Sequence, residues 1–234
     1  MVAVTTRDPA PTRPIVATGS GLVVINRWQA RVYEQALAAT TRSSDQTPPL
    51  GWNPTGRQDA PVGYDLVLAT PRTLSALVGW RLACSDRDVT GEIMRAHFTA
   101  VRDVAVEFTA GIGTDQAVRV SHLFDSQGQS WLHHHVLCGG LACLAEPGWT
   151  QPPRGDEWWS PLDPARVARM AERIIFAYHL LVRRSLTELL EALGLCWDGL
   201  AADGSCEVWG LSPQVLDSVS LSARPLAEIH ACQE

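Results

Sequence analysis

The sequence predicts an α+β protein: a central antiparallel β-sheet with helices packed on one or both faces. Two observations predict it. The stretch Asp88–Ala110 places apolar residues at helical spacing, at Ile93, Phe98, Val101, Val104, Ala105 and Phe108, and Asp163–Leu193 forms a second long helical stretch. Around them lie short runs of strand composition, Leu22–Ile25, Tyr64–Ala69, Ala117–Phe124 and Trp131–Leu144. Strands and helices mixed in this way build a sheet whose apolar side is covered by helices.

In chain order, residues 1–20 are rich in Pro, Thr and Ala and are expected to be partly loose. Leu22–Ile25 is a short apolar run and reads as a strand. Arg27–Thr40 has helical composition, and residues 41–62 carry turn residues throughout, so they read as a loop. Tyr64–Ala69 alternates and is read as a strand; Thr73–Trp80 is a helix entered after Pro71. The long helix 88–110 and the strand 117–124 follow. Trp131–Leu144 is a further strand that turns small and apolar toward its end. Residues 145–160 form a Pro/Gly/Trp loop. Asp163-Pro164 supplies an N-cap and a first-turn proline for the last long helix, which stops at Gly194. Short strands at Leu195–Asp198 and Glu207–Trp209 flank an Asp203-Gly204 turn. The whole chain, 1–234, is read as one domain.

Composition narrows the function classes. The chain has 234 residues, 46% of them hydrophobic and 19% charged, which suits a soluble globular protein. Its net charge of −6 lacks the basic surplus of a protein that grips a nucleic-acid backbone. Six scattered cysteines without a CxxC pair read as reduced thiols; Cys138 and Cys143 form a small-residue strand end and not a disulfide. No apolar run approaches the ~18 residues of a membrane span, and the start lacks a signal-peptide core. A cytoplasmic location is therefore expected.

The chemistry concentrates in the middle of the chain. Ser121-His122-Leu123-Phe124 is followed by Trp131-Leu132-His133-His134-His135-Val136. Side chains alternate along a strand, so His133 and His135 share a face and His134 takes the other. An H-x-H pair on one strand face makes a two-ligand clamp. A hairpin turn through Asp125–Ser130 brings His122 beside it. Three neutral imidazoles leave coordination positions open, the form of a catalytic metal site. Trp131, Leu132, Val136 and Leu137 mark the strand as buried, which argues against a surface His tract. His134 is read as structural, and His97 and His179 as packing or surface residues.

The segment Gly63–Ser75, GYDLVLATPRTLS, resembles the GYDLTFSAPKSVS signature of MobF-class conjugative relaxases. The spacing of His122, ten residues, His133, one residue, His135 matches the metal triad of that family. Arg27-Trp28 resembles its RW element. Ala96-His97, Trp158–Asp163 and Glu191–Gly194 fall in family order. The resemblance spans residues 20–215 and implies a relaxase-like (HUH) fold. It implies that His122, His133 and His135 hold a divalent metal that polarises a scissile phosphate. It also implies that Asp65 orients or deprotonates groups around the nucleophile and the metal. In the family a tyrosine near the N-terminus attacks the phosphorus and stays joined to the 5′ end of the cut strand.

This chain departs from the family pattern at that nucleophile. Residues 1–26 contain no tyrosine; the three tyrosines are Tyr33, Tyr64 and Tyr178. Arg72 replaces the signature lysine, Asp125-Ser126-Gln127 replaces the hairpin Ser-Arg, and Trp131 stands beside the triad. These departures predict a metal-dependent enzyme acting on a small molecule, its nicking activity lost. The metal serves as Lewis acid or redox centre, and zinc, iron, manganese, nickel and copper are not distinguished. Asp65 is the expected catalytic partner of the metal. Trp131, Trp158 and Arg72 are the expected substrate contacts, with Trp159 as a further apolar wall. The alternative is a divergent DNA relaxase, a nickase or a single-stranded DNA binder that uses aromatic stacking. A third reading makes the metal structural only.

Overall fold

A computed structural model of the chain describes residues 19–25, 61–114, 117–124, 130–143 and 159–218. The helix expected over 27–40 with Tyr33, nearly all of the 41–62 loop, residues 125–129 of the hairpin turn, Trp158, and both chain ends lie outside the described residues.

Eight strands and four helices are described. In chain order they are β1 (Gly21–Ile25), β2 (Gly63–Ala69), α1 (Arg72–Ala83), α2 (Arg87–Ile112), β3 (Ala117–Phe124), β4 (Ser130–Gly139), β5 (Leu141–Cys143), β6 (Trp159–Pro161), α3 (Pro164–Ala192), β7 (Cys196–Asp198), β8 (Glu207–Trp209) and α4 (Pro213–Ser218). The main sheet has the order β1-β2-β4-β3, and every neighbouring pair is antiparallel. This is the predicted α+β class.

One face of the sheet makes the core. Leu66 and Leu68 of β2 and Leu132 and Val136 of β4 pack against Ile93, Val101 and Phe108 of α2 and Ile174, Val182 and Leu186 of α3. These helical positions recur at the spacing of one helix face. Each fully buried Leu, Ile or Phe contributes about 1.5–3 kcal/mol, so this layer fixes the sheet from behind. The opposite face of β2 and β4 carries Asp65, Val67 and Ala69 beside Trp131, His133 and His135. β2 is buried on both faces.

Helix ends follow local chemistry. Asp86 caps α2, its carboxylate accepting from the Val89 N–H at 3.3 Å, and Gly113 closes the helix at φ +87°. Asp163 caps α3 by accepting from the Ala165 N–H at 3.0 Å, with Pro164 at the first position, as the sequence predicts. α1 begins after Pro71, which offers no side-chain cap. Glu207 of β8 fills that role: its Oε2 accepts from the Thr73 N–H at 3.0 Å and from the Thr73 hydroxyl. The β7–β8 hairpin thus holds the start of α1.

Three local expectations change. The run 131–144 is not one strand. β4 ends at Gly139, and β5 pairs instead with β6 in a separate two-stranded sheet. The break lies at Gly140, whose backbone passes so near Pro61 that a Cβ there would stand 2.4 Å from the Pro61 carbonyl oxygen. The Gly140 N–H donates to the Val62 carbonyl, and its own carbonyl accepts from Leu162. The expected loop 145–160 accordingly gives way to strand at Trp159. The helix expected to end at Trp80 continues to Ala83, and the short helix α4 has no counterpart in the sequence reading.

Among the described residues no helix is long and apolar enough to cross a membrane. Cys84, Cys138, Cys196 and Cys206 are free thiols, as expected.

Candidate metal centre

The register of the sheet assembles the site. His122 on β3 pairs directly with His133 on β4, and His135 lies two residues along the same face. Directly opposed residues on one face of an antiparallel pair come within side-chain contact, and diagonal neighbours remain within reach of long or aromatic groups. The ring centroids are 5.1 Å apart for His122–His133, 5.4 Å for His122–His135 and 5.0 Å for His133–His135. One ligand atom from each residue lies within 4.8 Å of the others. The three imidazoles that the spacing brought forward do meet.

Hydrogen bonds at the back of the rings set which nitrogen is left to bind. The His135 Nδ1–H donates to Asp65 Oδ2 at 2.8 Å. Asp65 is fully buried on β2, the strand on the other side of β4, and reaches His135 diagonally. The His133 Nδ1–H donates to the backbone carbonyl of Trp131 at 2.7 Å. In a neutral imidazole with Nδ1 protonated, Nε2 keeps its lone pair. His133 and His135 are therefore held in the tautomer that a metal requires, by the carboxylate and carbonyl partners typical of metal-bound histidines.

Burial favours the neutral form of two of the rings, His133 and His122. Burial pushes the His133 imidazole down to about 4, with neighbouring His135, His122 and Arg72 adding to the shift and the Trp131 carbonyl opposing it. Burial also lowers His122, with His135 in the same direction and Asp65 in the other. Neutral nitrogens near neutral pH are what a divalent ion needs. Three imidazoles, two of them fixed from behind by a carboxylate and a backbone carbonyl, fit a divalent metal of the nitrogen-preferring class.

Trp131 lies against this group. Its indole stacks on His133, centroid to centroid 4.0 Å and 22° from parallel, and the Arg72 guanidinium sits over the indole at 4.5 Å. Trp131 thus stacks on His133 and His133 on His122, with the Arg72 guanidinium over the indole. Trp158 lies outside the described residues, and of Trp159 only the backbone is described.

A further set of hydroxyl residues, to which no sequence pattern gives a role, supports the strand that carries His133. The hydroxyls of Thr70 and Ser75 bond each other at 2.8 Å. The Thr70 hydroxyl donates to the Leu132 carbonyl at 3.1 Å, and the Leu132 N–H donates to Ser75 Oγ at 3.2 Å. The Ser130 hydroxyl donates to the Ser75 carbonyl at 2.7 Å. This network pins the first residues of β4 directly ahead of His133. Its signal in the sequence is the pair of hydroxyls at the ends of Thr70-Pro-Arg-Thr-Leu-Ser75.

Behind the sheet lies a second group. His134 faces the helices, its Nδ1 2.7 Å from the Ser121 hydroxyl. His97 on α2 is wholly buried, with Nδ1 2.7 Å from the Tyr178 hydroxyl, and its ring lies 6.2 Å from that of His134. His97 and His179 are thus buried packing residues and not surface ones. The two described tyrosines are buried too. Tyr64 is turned by strand alternation away from the face of Asp65, and burial, with Asp163, pushes its phenol up to about 12. Tyr178 is fully buried between the helices and the sheet.

No protein-family model and no curated protein sequence matches the chain. Solved structures do. Conjugative relaxase TrwC in complex with mutant oriT DNA superposes with a TM-score of 0.57 at 16% identity, covering 92% of this chain and 83% of that one. A metal-free TrwC–oriT complex gives a TM-score of 0.56 and a metal-bound one 0.55, each at 16% identity with the same coverage. The fold of this chain is the relaxase fold, as the sequence resemblance implied.

Proposed function

With the relaxase fold as premise, we propose that this chain is a metal-dependent enzyme in which His122, His133 and His135 hold one divalent transition-metal ion. The observation that carries this reading is the pair of bonds behind the rings, Asp65 to His135 and the Trp131 carbonyl to His133. A bound divalent ion supplies Lewis acidity toward an oxygen of the substrate. Asp65 holds His135 in orientation and balances positive charge from β2. Arg72, spread over Trp131 at the edge of the group, receives an anionic group of the substrate. Trp131 and Trp158 supply apolar walls.

We assign the substrate to small molecules. The net charge of −6 disfavours a long phosphate backbone. Neither described tyrosine is exposed to act as a strand-cleaving nucleophile. A DNA-directed reading rests on the relaxase neighbours, which were solved with oriT DNA.

One experiment separates the two. Metal-loaded protein is incubated with single-stranded oligonucleotides and Mg²⁺, Mn²⁺ or Zn²⁺. It is then assayed for a covalent adduct on denaturing gels and for salt-dependent binding. In parallel, metal-stripped and metal-loaded protein are assayed on a panel of small phosphate and carboxylate esters. The proposal predicts no adduct, no salt-sensitive binding, and metal-dependent turnover that Arg72→Leu weakens and His133→Ala abolishes. A covalent protein–DNA adduct would transfer the assignment to the nickase.

A further inference from the structure

The contacts of Trp131 go beyond those of a pocket wall. We propose that Trp131 is a positioning residue for the metal centre, fixing the His133 imidazole by two separate contacts. Its backbone carbonyl accepts the His133 Nδ1–H at 2.7 Å and so sets the tautomer. Its indole lies 4.0 Å from the His133 ring at 22° and so sets the plane. The indole is itself held: it is 4% exposed, packs with Val67 and Ala69 of β2, and lies under the Arg72 guanidinium.

The geometry gives the reason. Residues i and i+2 of a strand share a face but stand roughly 6.5 Å apart along it. For two rings so placed to stack at 4.0 Å, one must lean along the strand toward the other. A hydrogen bond alone leaves an imidazole free to rock about its own axis, whereas a stacked plane removes that freedom. His133 in turn stacks on His122 at 5.1 Å and 21°, so the plane chosen by Trp131 passes to a second ligand. Only a flat side chain at position 131 can do this, and a backbone carbonyl is present whatever the side chain. The two contributions are therefore separable by mutation.

This inference rests on the metal reading of the three histidines, and the test distinguishes the two. Full-length protein stripped with a chelator is titrated with Zn²⁺ against a competing chromophoric chelator. Intrinsic fluorescence is followed in parallel, and the ¹⁵N shifts of the imidazoles are recorded without metal. Trp131→Leu keeps the carbonyl and loses the plane. It is expected to weaken Zn²⁺ about tenfold or more while His133 keeps its Nδ1–H tautomer. Trp131→Phe, which restores a flat ring, recovers most of the affinity. Zn²⁺ changes the fluorescence of the wild type, and Trp131→Phe, with the eight other tryptophans intact, loses most of that change. The inference fails if Trp131→Leu binds Zn²⁺ as tightly as the wild type, or if the fluorescence response survives in Trp131→Phe. Failure of the wild type itself to bind Zn²⁺ overturns the metal reading, and this inference with it. Should Trp131→Leu not fold, the Trp131→Phe fluorescence result decides alone.

Discussion

Asp65 and His135 face each other diagonally across β2 and β4, with the His135 Nδ1–H on the Asp65 carboxylate at 2.8 Å. The carboxylate is wholly buried, and its second oxygen has no hydrogen-bond partner. A buried carboxylate is costly unless something nearby balances it. A cation held by His135 would supply that balance. Asp65→Asn should keep the fold and lower metal affinity about 10- to 100-fold, because an amide neither carries the charge nor enforces the tautomer. Chelator competition reads the change; an unaltered affinity would remove Asp65 from the centre.

The start of β4 is held close to α1. A Cβ added at Gly79 would stand 2.7 Å from Ser130 Cβ, and Ser130 is the residue that donates to the Ser75 carbonyl. Gly79→Ala in a helix would ordinarily gain up to about 1 kcal/mol. Here overpacking should outweigh the gain and leave a net loss of about 1–2 kcal/mol. Denaturant unfolding measures this, and a stabilised variant would show that the contact relaxes freely.

Glu207 caps α1 from a distant hairpin. Glu207→Ala leaves the Thr73 N–H without its acceptor and should cost about 1–2 kcal/mol. Glu207→Gln, which keeps an acceptor oxygen, should cost less. Equal melting temperatures for wild type and Glu207→Ala would deny the capping role.

Acid should destabilise the metal-free protein. Burial lowers His97 to about 3 and His179 to about 4, with His134 adding to the first and Asp203 opposing the second. Both values lie below the ordinary histidine value, so the unfolded chain takes up protons that the folded chain refuses. Stability is then fully present above about pH 6.5 and falls as the pH drops toward 4, by about 1.4 kcal/mol per pH unit for each such histidine. Melting temperatures of the metal-free chain at pH 7, 5.5 and 4.5 check this. A flat profile would contradict the neutral, buried state of these rings.

Much of this was legible in the sequence because strands and helices have different periods. Alternation alone put His133 and His135 on one face and His134 on the other, and the site follows from that. The two long helices were legible from apolar spacing and from Asp163-Pro164. What escaped depends on contacts between distant parts. The break at Gly140 comes from the close passage of Pro61; Gly139-Gly140 marks a weak point in the strand, but the partner that forces the break lies far away in sequence. The cap from Glu207 to Thr73 joins residues on opposite sides of two long helices. The burial of His97 and His179 depends on which helix face meets the sheet. Trp131 was visible beside the triad, but its stacking on His133 is a matter of side-chain lean that no periodicity encodes.

The central claim is that three histidines on two strands hold one metal ion. Metal-stripped wild type and a His122→Ala/His133→Ala/His135→Ala variant are titrated with Zn²⁺, and bound metal is counted by elemental analysis after gel filtration. The account predicts one ion per chain for the wild type and none for a variant that remains folded by circular dichroism. A wild type that retains no metal, or a folded variant that retains as much as the wild type, would contradict it.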